Sequence, residues 1–224
     1  MPEKRTTSIA TLETDTLAVL SDLNHASQKG LQTIFDSSVG RSTINHPIGG
    51  RYQITPTEAS VQKLPVQHGV TTTASAIAQG YNPYIAEWSP YHGAAYAVIE
   101  ATARLVATGA NWSQARFSYQ EYFERMDKQA ERFGQPVSAL LGSIEAQFQL
   151  GLPSIGGKDS MSGTFEELTV PPTLVAFGVT TADSRRVLSP EFKAAGQYIY
   201  YIPGQAISEA VSYTHLTLPT SDLV

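Results

Sequence analysis

Ser89-Pro90-Tyr91-His92-Gly93-Ala94-Ala95-Tyr96-Ala97-Val98-Ile99-Glu100-Ala101-Thr102-Ala103-Arg104-Leu105-Val106-Ala107-Thr108-Gly109 carries a helix in its spacing. From Gly93 to Gly109, Ala95, Val98, Ile99, Thr102, Leu105 and Val106 recur at the helical period, and Gly109 can end the element. Glu100 lies away from Val98 and Leu105, with Arg104 one turn later. Two readings are open for it: an exposed i, i+4 ion pair worth ~0.3 kcal/mol, or a metal ligand. His92, just before the helix, either contacts a ligand or caps the turn between Pro90 and Gly93.

Upstream, Leu64 to Ala78 is rich in Val, Thr and Ile and reads as a strand, Tyr81-Asn82-Pro83 as a turn, and Tyr84 to Trp88 as a second extended piece. Residues 1–54 are polar and broken by glycine, with a short helical patch at Leu17, Val19, Leu20 and Leu23. Downstream, Trp112 to Tyr119 alternates as a strand, and the charged run Tyr122 to Arg132 reads as a solvated helix or loop. Val137, Leu140, Leu141, Ile144, Phe148 and Leu150 restore the helical period until Gly151 and Pro153. A glycine loop over Leu152 to Gly163, a strand over Thr173 to Thr181 and a final strand over Tyr198 to Ile202 follow. Strands and helices mixed without regular alternation predict an α+β fold, a mixed sheet packed by helices.

The 224 residues fill one large domain or two small ones, and their net charge of −5 with no Lys/Arg run argues against a nucleic-acid or anionic-membrane partner. Hydrophobic residues reach 42% without any membrane-length apolar run, so a folded, cytoplasmic chain is expected. Zero cysteines exclude disulfides, thiolate metal sites and a cysteine nucleophile. Met1 to Ala10 shows no apolar signal-peptide core, and the five histidines show no zinc-ligand spacing.

Chemistry concentrates in Ser154-Ile155-Gly156-Gly157-Lys158-Asp159-Ser160-Met161-Ser162-Gly163. Paired glycines let backbone N–H groups approach an oxyanion, Lys158 adds a cation, and Ser160 and Ser162 add hydroxyls. The spacing is not that of a Walker A loop, so the run is either a phosphate cradle or an ordinary turn. Gln120 and Glu121, ending the Trp112 strand, either point into a cleft or mark a strand-to-loop transition. There is no Gly-x-Ser-x-Gly elbow.

Five runs, in matching order from Leu17 to Gly204, resemble the large form of phosphoribosylformylglycinamidine synthase. They are Ser21-Asp22-Leu23-Asn24 with Ala26-Ser27-Gln28-Lys29-Gly30-Leu31; Trp88-Ser89-Pro90-Tyr91-His92-Gly93-Ala94; Gln120-Glu121-Tyr122-Phe123; Pro153 to Gly163; and Val170-Pro171-Pro172-Thr173-Leu174. The last stretch, Val211 to Val224, continues no earlier pattern and resembles translated sequencing-adapter read-through, which would make the chain a fragment. The resemblance divides the chain into a lead-in segment (1–60), the N-terminal lobe of a second synthetase-like repeat (61–185), the start of the following lobe (186–210) and a non-native tail (211–224).

In that family two repeats related to aminoimidazole ribonucleotide synthetase form a pseudo-dimer followed by a glutaminase domain. The resemblance therefore implies ATP and Mg2+ as cofactors, small-molecule substrates, and the remaining lobes and glutaminase domain as partners. The implied reaction turns formylglycinamide ribonucleotide into its amidine: ATP phosphorylates the amide oxygen and ammonia displaces the phosphate. Gly156, Gly157, Lys158, Asp159 and Ser160 match without gaps, so the resemblance favours phosphate contact, with Asp159 orienting Lys158 or a metal. Glu100 matches a magnesium-binding glutamate, but Arg104 stands where relatives carry asparagine, and Gln67 or His68 where they carry aspartate. The resemblance implies that this is an auxiliary nucleotide site, structural rather than catalytic, and the departures count against its magnesium, with Arg104 placing a fixed cation where a metal would otherwise sit. The lobe then either contributes directly to a ligase cleft or is a structural lobe with a degenerate nucleotide site.

Overall fold

A computed structural model describes residues 10–23, 25–34 and 41–200. Its centre is a six-stranded sheet in the order β1 (Thr43–Asn45), β4 (Ala59–Lys63), β5 (Thr73–Gly80), β10 (Thr173–Asp183), β6 (Arg116–Tyr122) and β7 (Ser154–Ser160). Every neighbouring pair is antiparallel except β6 and β7, which run parallel. A parallel pair needs a crossover, and here it is the 21-residue helix α5 (Ala130–Leu150). Two small hairpins, β2 (Ile48–Gly49) with β3 (Thr55–Pro56) and β8 (Thr164–Phe165) with β9 (Leu168–Thr169), complete the strands. The chain has the α+β class its sequence predicts.

One face of the sheet is packed and the other is bare. Alternation along β5, β10 and β6 turns Ala74, Ala76, Ala78, Leu174, Ala176, Phe117 and Tyr119 inward, against the helix α4 (Pro90–Ala107). The opposite face carries Ser60, Gln62, Ile77, Gln79, Val175, Phe177, Gln120, Tyr122 and Lys158, with no helix over it among the described residues. On the packed side the core uses small residues. A Cβ on Gly80 would lie 2.1 Å from the Ala97 carbonyl oxygen, so β5 touches the α4 backbone directly. A Cβ on Gly142 of α5 would lie 1.9 Å from the carbonyl of Tyr91, which sets how closely α5 approaches α4.

The helices start and stop where local chemistry dictates. Ser89 accepts from the His92 N–H, Pro90 occupies the first turn, and α4 ends at Ala107, just before the positive-φ Gly109. Gly151, at φ 66°, gives α5 its left-handed C-cap. Tyr84–Trp88, expected to be extended, is instead most of the helix α3 (Pro83–Trp88): the Asn82 side chain accepts from the N–H groups of Tyr84 and Ile85, making Asn-Pro a helix start.

Other expectations shift. Leu64 to Thr72 is not strand, because Pro65 and Gly69 interrupt it, and β5 starts at Thr73. The Trp112 strand begins as a 3-10 turn (Trp112–Gln114) and becomes extended only from Arg116. The charged run is a loop up to Gln129, its Arg132 drawn back onto Asp127 and Glu124 at 2.9 and 3.3 Å, and α5 starts at Ala130, ahead of the expected Val137. The glycine loop is the edge strand β7. The sheet already includes β1 and β4, so it begins within the expected lead-in segment. Helices α1 (Leu12–Ser21) and α2 (Lys29–Gln32) precede it, and neither buries a residue. Tyr198–Tyr200 forms no strand; Tyr201, Ile202 and the expected tail lie outside the described residues.

Candidate functional site

Strands β6 and β7 sort the expected phosphate residues onto two faces. The register pairs Gln120 with Lys158 and Tyr122 with Ser160, placing all four on the bare face. Lys158 Nζ stands 5.8 Å from the centre of the Tyr122 ring, and the hydroxyls of Ser160 and Ser162 lie 3.1 Å apart. Gln120 donates to the Tyr119 carbonyl at 3.3 Å. Gly157 and Asp159 pair with Tyr119 and Glu121 on the helix side. Consecutive strand residues point to opposite faces, so Asp159 is turned away from Lys158 and does not orient it.

The backbone geometry also differs from a cradle. Converging N–H groups require a curled nest, whereas along a strand they alternate from edge to edge. Only Gly156, at φ 135°, departs from what other residues adopt. Of the groups expected to meet an anion, the Lys158 ammonium and the two serine hydroxyls remain, and the amides do not form a ring.

Behind this ridge, Glu121 is only 7% exposed. Burial pushes its carboxyl above the usual carboxylate range, and the Asp159 charge on the neighbouring strand adds to the shift. Its sequence signal was an acid at an inward-facing strand position, visible only once the register was known.

A second polar centre joins α4 to the sheet. Arg104 Nε reaches Glu58 at 2.9 Å, Nη2 reaches Glu100 at 2.8 Å, and Nη1 donates to the Gln79 carbonyl at 2.9 Å. The other Glu100 oxygen accepts from the Tyr81 N–H at 2.9 Å. The i, i+4 pair expected from sequence is therefore the core of a larger network; Glu58 and the Tyr81 amide reach it through tertiary structure and left no local signal. The network borders a cavity of about 540 Å³ lined by Asn45, Gln62, Gln79, Phe177 and neighbours. With one Glu100 oxygen bound to the Arg104 guanidinium and the other to the Tyr81 amide, the residues do not fit Mg2+. Gln67 and His68 are exposed in the loop before β5 and supply no replacement ligand. Among the described residues no three His, Asp or Glu side chains gather as a metal site. Asp22 does lie 3.8 Å from His25, a carboxylate–histidine pair overlooked in the sequence.

His92 sits in the first turn of α4. Its Nδ1 is 2.7 Å from the Ser89 hydroxyl and its ring packs 4.8 Å from the Trp88 ring. Burial lowers its pKa, which favours the neutral ring. The cap itself is Ser89, and the His92 ring braces the Ser89 hydroxyl.

The fold and these two centres define an α+β lobe with a lysine- and serine-bearing strand edge beside a bare sheet face. No protein-family profile matches the chain, and no curated protein matches it in sequence. In structure it is similar to Thermotoga maritima PurL complexed with AMPPCP, at TM-score 0.60 and 16% identity over 76% of this chain and 27% of that one. PurL complexed with FGAR matches at TM-score 0.54 and 19% identity, over 68% of this chain and 22% of the other. The structure named phosphoribosylformylglycinamidine synthase II from the same organism matches at TM-score 0.54 and 18% identity, covering 68% and 23%. The shared fold is that of PurL, and the chain spans about a quarter of the length of these proteins. No helix among the described residues is long and apolar enough to cross a membrane.

Proposed function

We propose that this chain is a lobe of an ATP-dependent, amidine-forming ligase of the phosphoribosylformylglycinamidine synthase kind, acting in purine biosynthesis. The observation that carries the reading is the PurL fold over about three quarters of the chain, and the ordered sequence runs support it. In this reading Lys158, with the hydroxyls of Ser160 and Ser162, stabilises a phosphate at the edge of β7, and Gln120 and Tyr122 line the approach. The phosphate belongs either to the nucleotide or to the ribonucleotide substrate. ATP converts the substrate amide oxygen into a leaving group, and ammonia from a glutaminase partner then displaces phosphate. Residues 186–210 begin the following lobe, and the bare sheet face is covered by the first repeat. The cytoplasm is the compartment of this chemistry.

A second reading has its own observation. The Arg104–Glu100 pair closes the one position that sequence offered for a metal, which favours a scaffold lobe with a degenerate nucleotide site. The two readings separate on Lys158. Ligand-observed NMR with AMPPCP and with formylglycinamide ribonucleotide should show binding that Lys158→Ala weakens by about ten- to one-hundred-fold, since a charge-assisted contact is worth ~1.5–3 kcal/mol. Competition between the two ligands identifies which phosphate is held. Binding unchanged by Lys158→Ala, or none by the unaltered chain, supports the scaffold.

A further inference from the structure

Helix α5 is inside out relative to an ordinary surface helix. Its buried residues are Pro136, Ala139, Gly142, Ser143 and Ala146, all small or compact. Its large residues Phe133, Val137, Leu140, Leu141, Ile144 and Phe148 are 39% to 80% exposed. At 100° per residue those six fall within one stripe along the helix, on the side away from α4. Nothing among the described residues covers it. Such a face exposes on the order of 500 Å² of apolar surface, more than a solvated face ordinarily presents.

The spacing of the stripe says what fits it. Steps of four, three, one, three and four residues read the same in both directions from the midpoint between Leu140 and Leu141. An identical helix laid antiparallel about a two-fold axis at that midpoint sets Phe133 against Phe148, Val137 against Ile144 and Leu140 against Leu141. The same operation places Arg132 opposite Gln149 and Glu131 opposite Leu150, so no like charges meet. Two stripes together bury roughly 1,000 Å², the lower bound for a specific interface. We propose that α5 is the contact between two copies of this chain, packed antiparallel as an isologous dimer. The inference rests on α5 alone and is independent of the ligase reading.

The absence of native cysteine makes the register directly testable. Phe133→Cys and Phe148→Cys chains, mixed and treated with a short thiol cross-linker, should yield a cross-linked pair joining one of each, with little product from either chain alone. Light scattering should give a dimer that Ile144→Lys converts to monomer without loss of helical circular dichroism. A monomer at every concentration overturns the proposal and leaves the stripe to another polypeptide. A dimer dissolved by Phe177→Glu but not by Ile144→Lys also overturns it and moves the interface to the bare sheet face.

Discussion

Glu121 shows how burial turns an ordinary carboxylate into a pH-sensitive element. Its pKa is raised in the fold, so the folded chain holds that proton more tightly than the unfolded one. The stability it contributes is fully present below the ordinary carboxylate pKa and is lost as pH rises through the folded value. Glu121→Gln, neutral at every pH, should therefore raise the melting temperature at pH 7 to 8 and bring little change near pH 4. Thermal unfolding across that range checks it, and an equal shift at both ends would point to packing rather than charge. At this scale the sequence identified residue types well and their directions poorly. Gln120, Glu121, Lys158 and Asp159 were all singled out, yet only strand pairing assigns Lys158 to one face and Asp159 to the other. Likewise the Glu100–Arg104 spacing is visible in sequence, but the bonds from Arg104 to Glu58 and Gln79 need the turn before β4 and the end of β5 in place.

Elements were legible where periodicity and capping agreed, as for α4, whose stripe, start and stop all point one way. They failed where a short motif outranked composition. Tyr84–Trp88 has the aromatic content of a strand, but Asn82 and Pro83 form a helix cap and first turn. The Gly-Gly pair read as a loop, yet the neighbouring β6 draws it into a parallel ladder. In α5 the period was right and the inference usually drawn from it was reversed, because the small residues face inward. That inversion depends on close approach at Gly142. Gly142→Ala drives a methyl into the Tyr91 carbonyl region, where relief requires backbone movement. A loss of about 3 kcal/mol is expected in denaturant melts, whereas Gly134→Ala, which meets nothing within 4 Å, should be neutral or slightly stabilising.

For the whole molecule, the mixed sheet with one packed face means that half of the layered arrangement is missing from the described residues. A cleft needs two walls, and the described residues supply one. The purified 224-residue chain is accordingly expected to form no amidine from formylglycinamide ribonucleotide, ATP and ammonia. Phosphate-release and product assays check this, and turnover would show that a single lobe completes the site. Fold class was legible at this scale because irregular alternation of elements already excludes a doubly wound sheet. A bare sheet face is what the resemblance to a two-repeat protein implies, but the residues that line it were not legible, since Ile77, Val175 and Phe177 read as core in any strand pattern and only the helix positions show otherwise.

Arg104 carries one more implication. A bound ion comes and goes with its concentration, and its occupancy follows mass action. A guanidinium tethered to α4 has no free pool to equilibrate with, and three of its nitrogens are already committed to Glu58, Glu100 and the Gln79 carbonyl. The junction of α4, β5 and the turn before β4 is thus tied together by covalently attached groups alone, and a chelator is expected to leave the melting temperature unchanged, which thermal unfolding with and without EDTA checks.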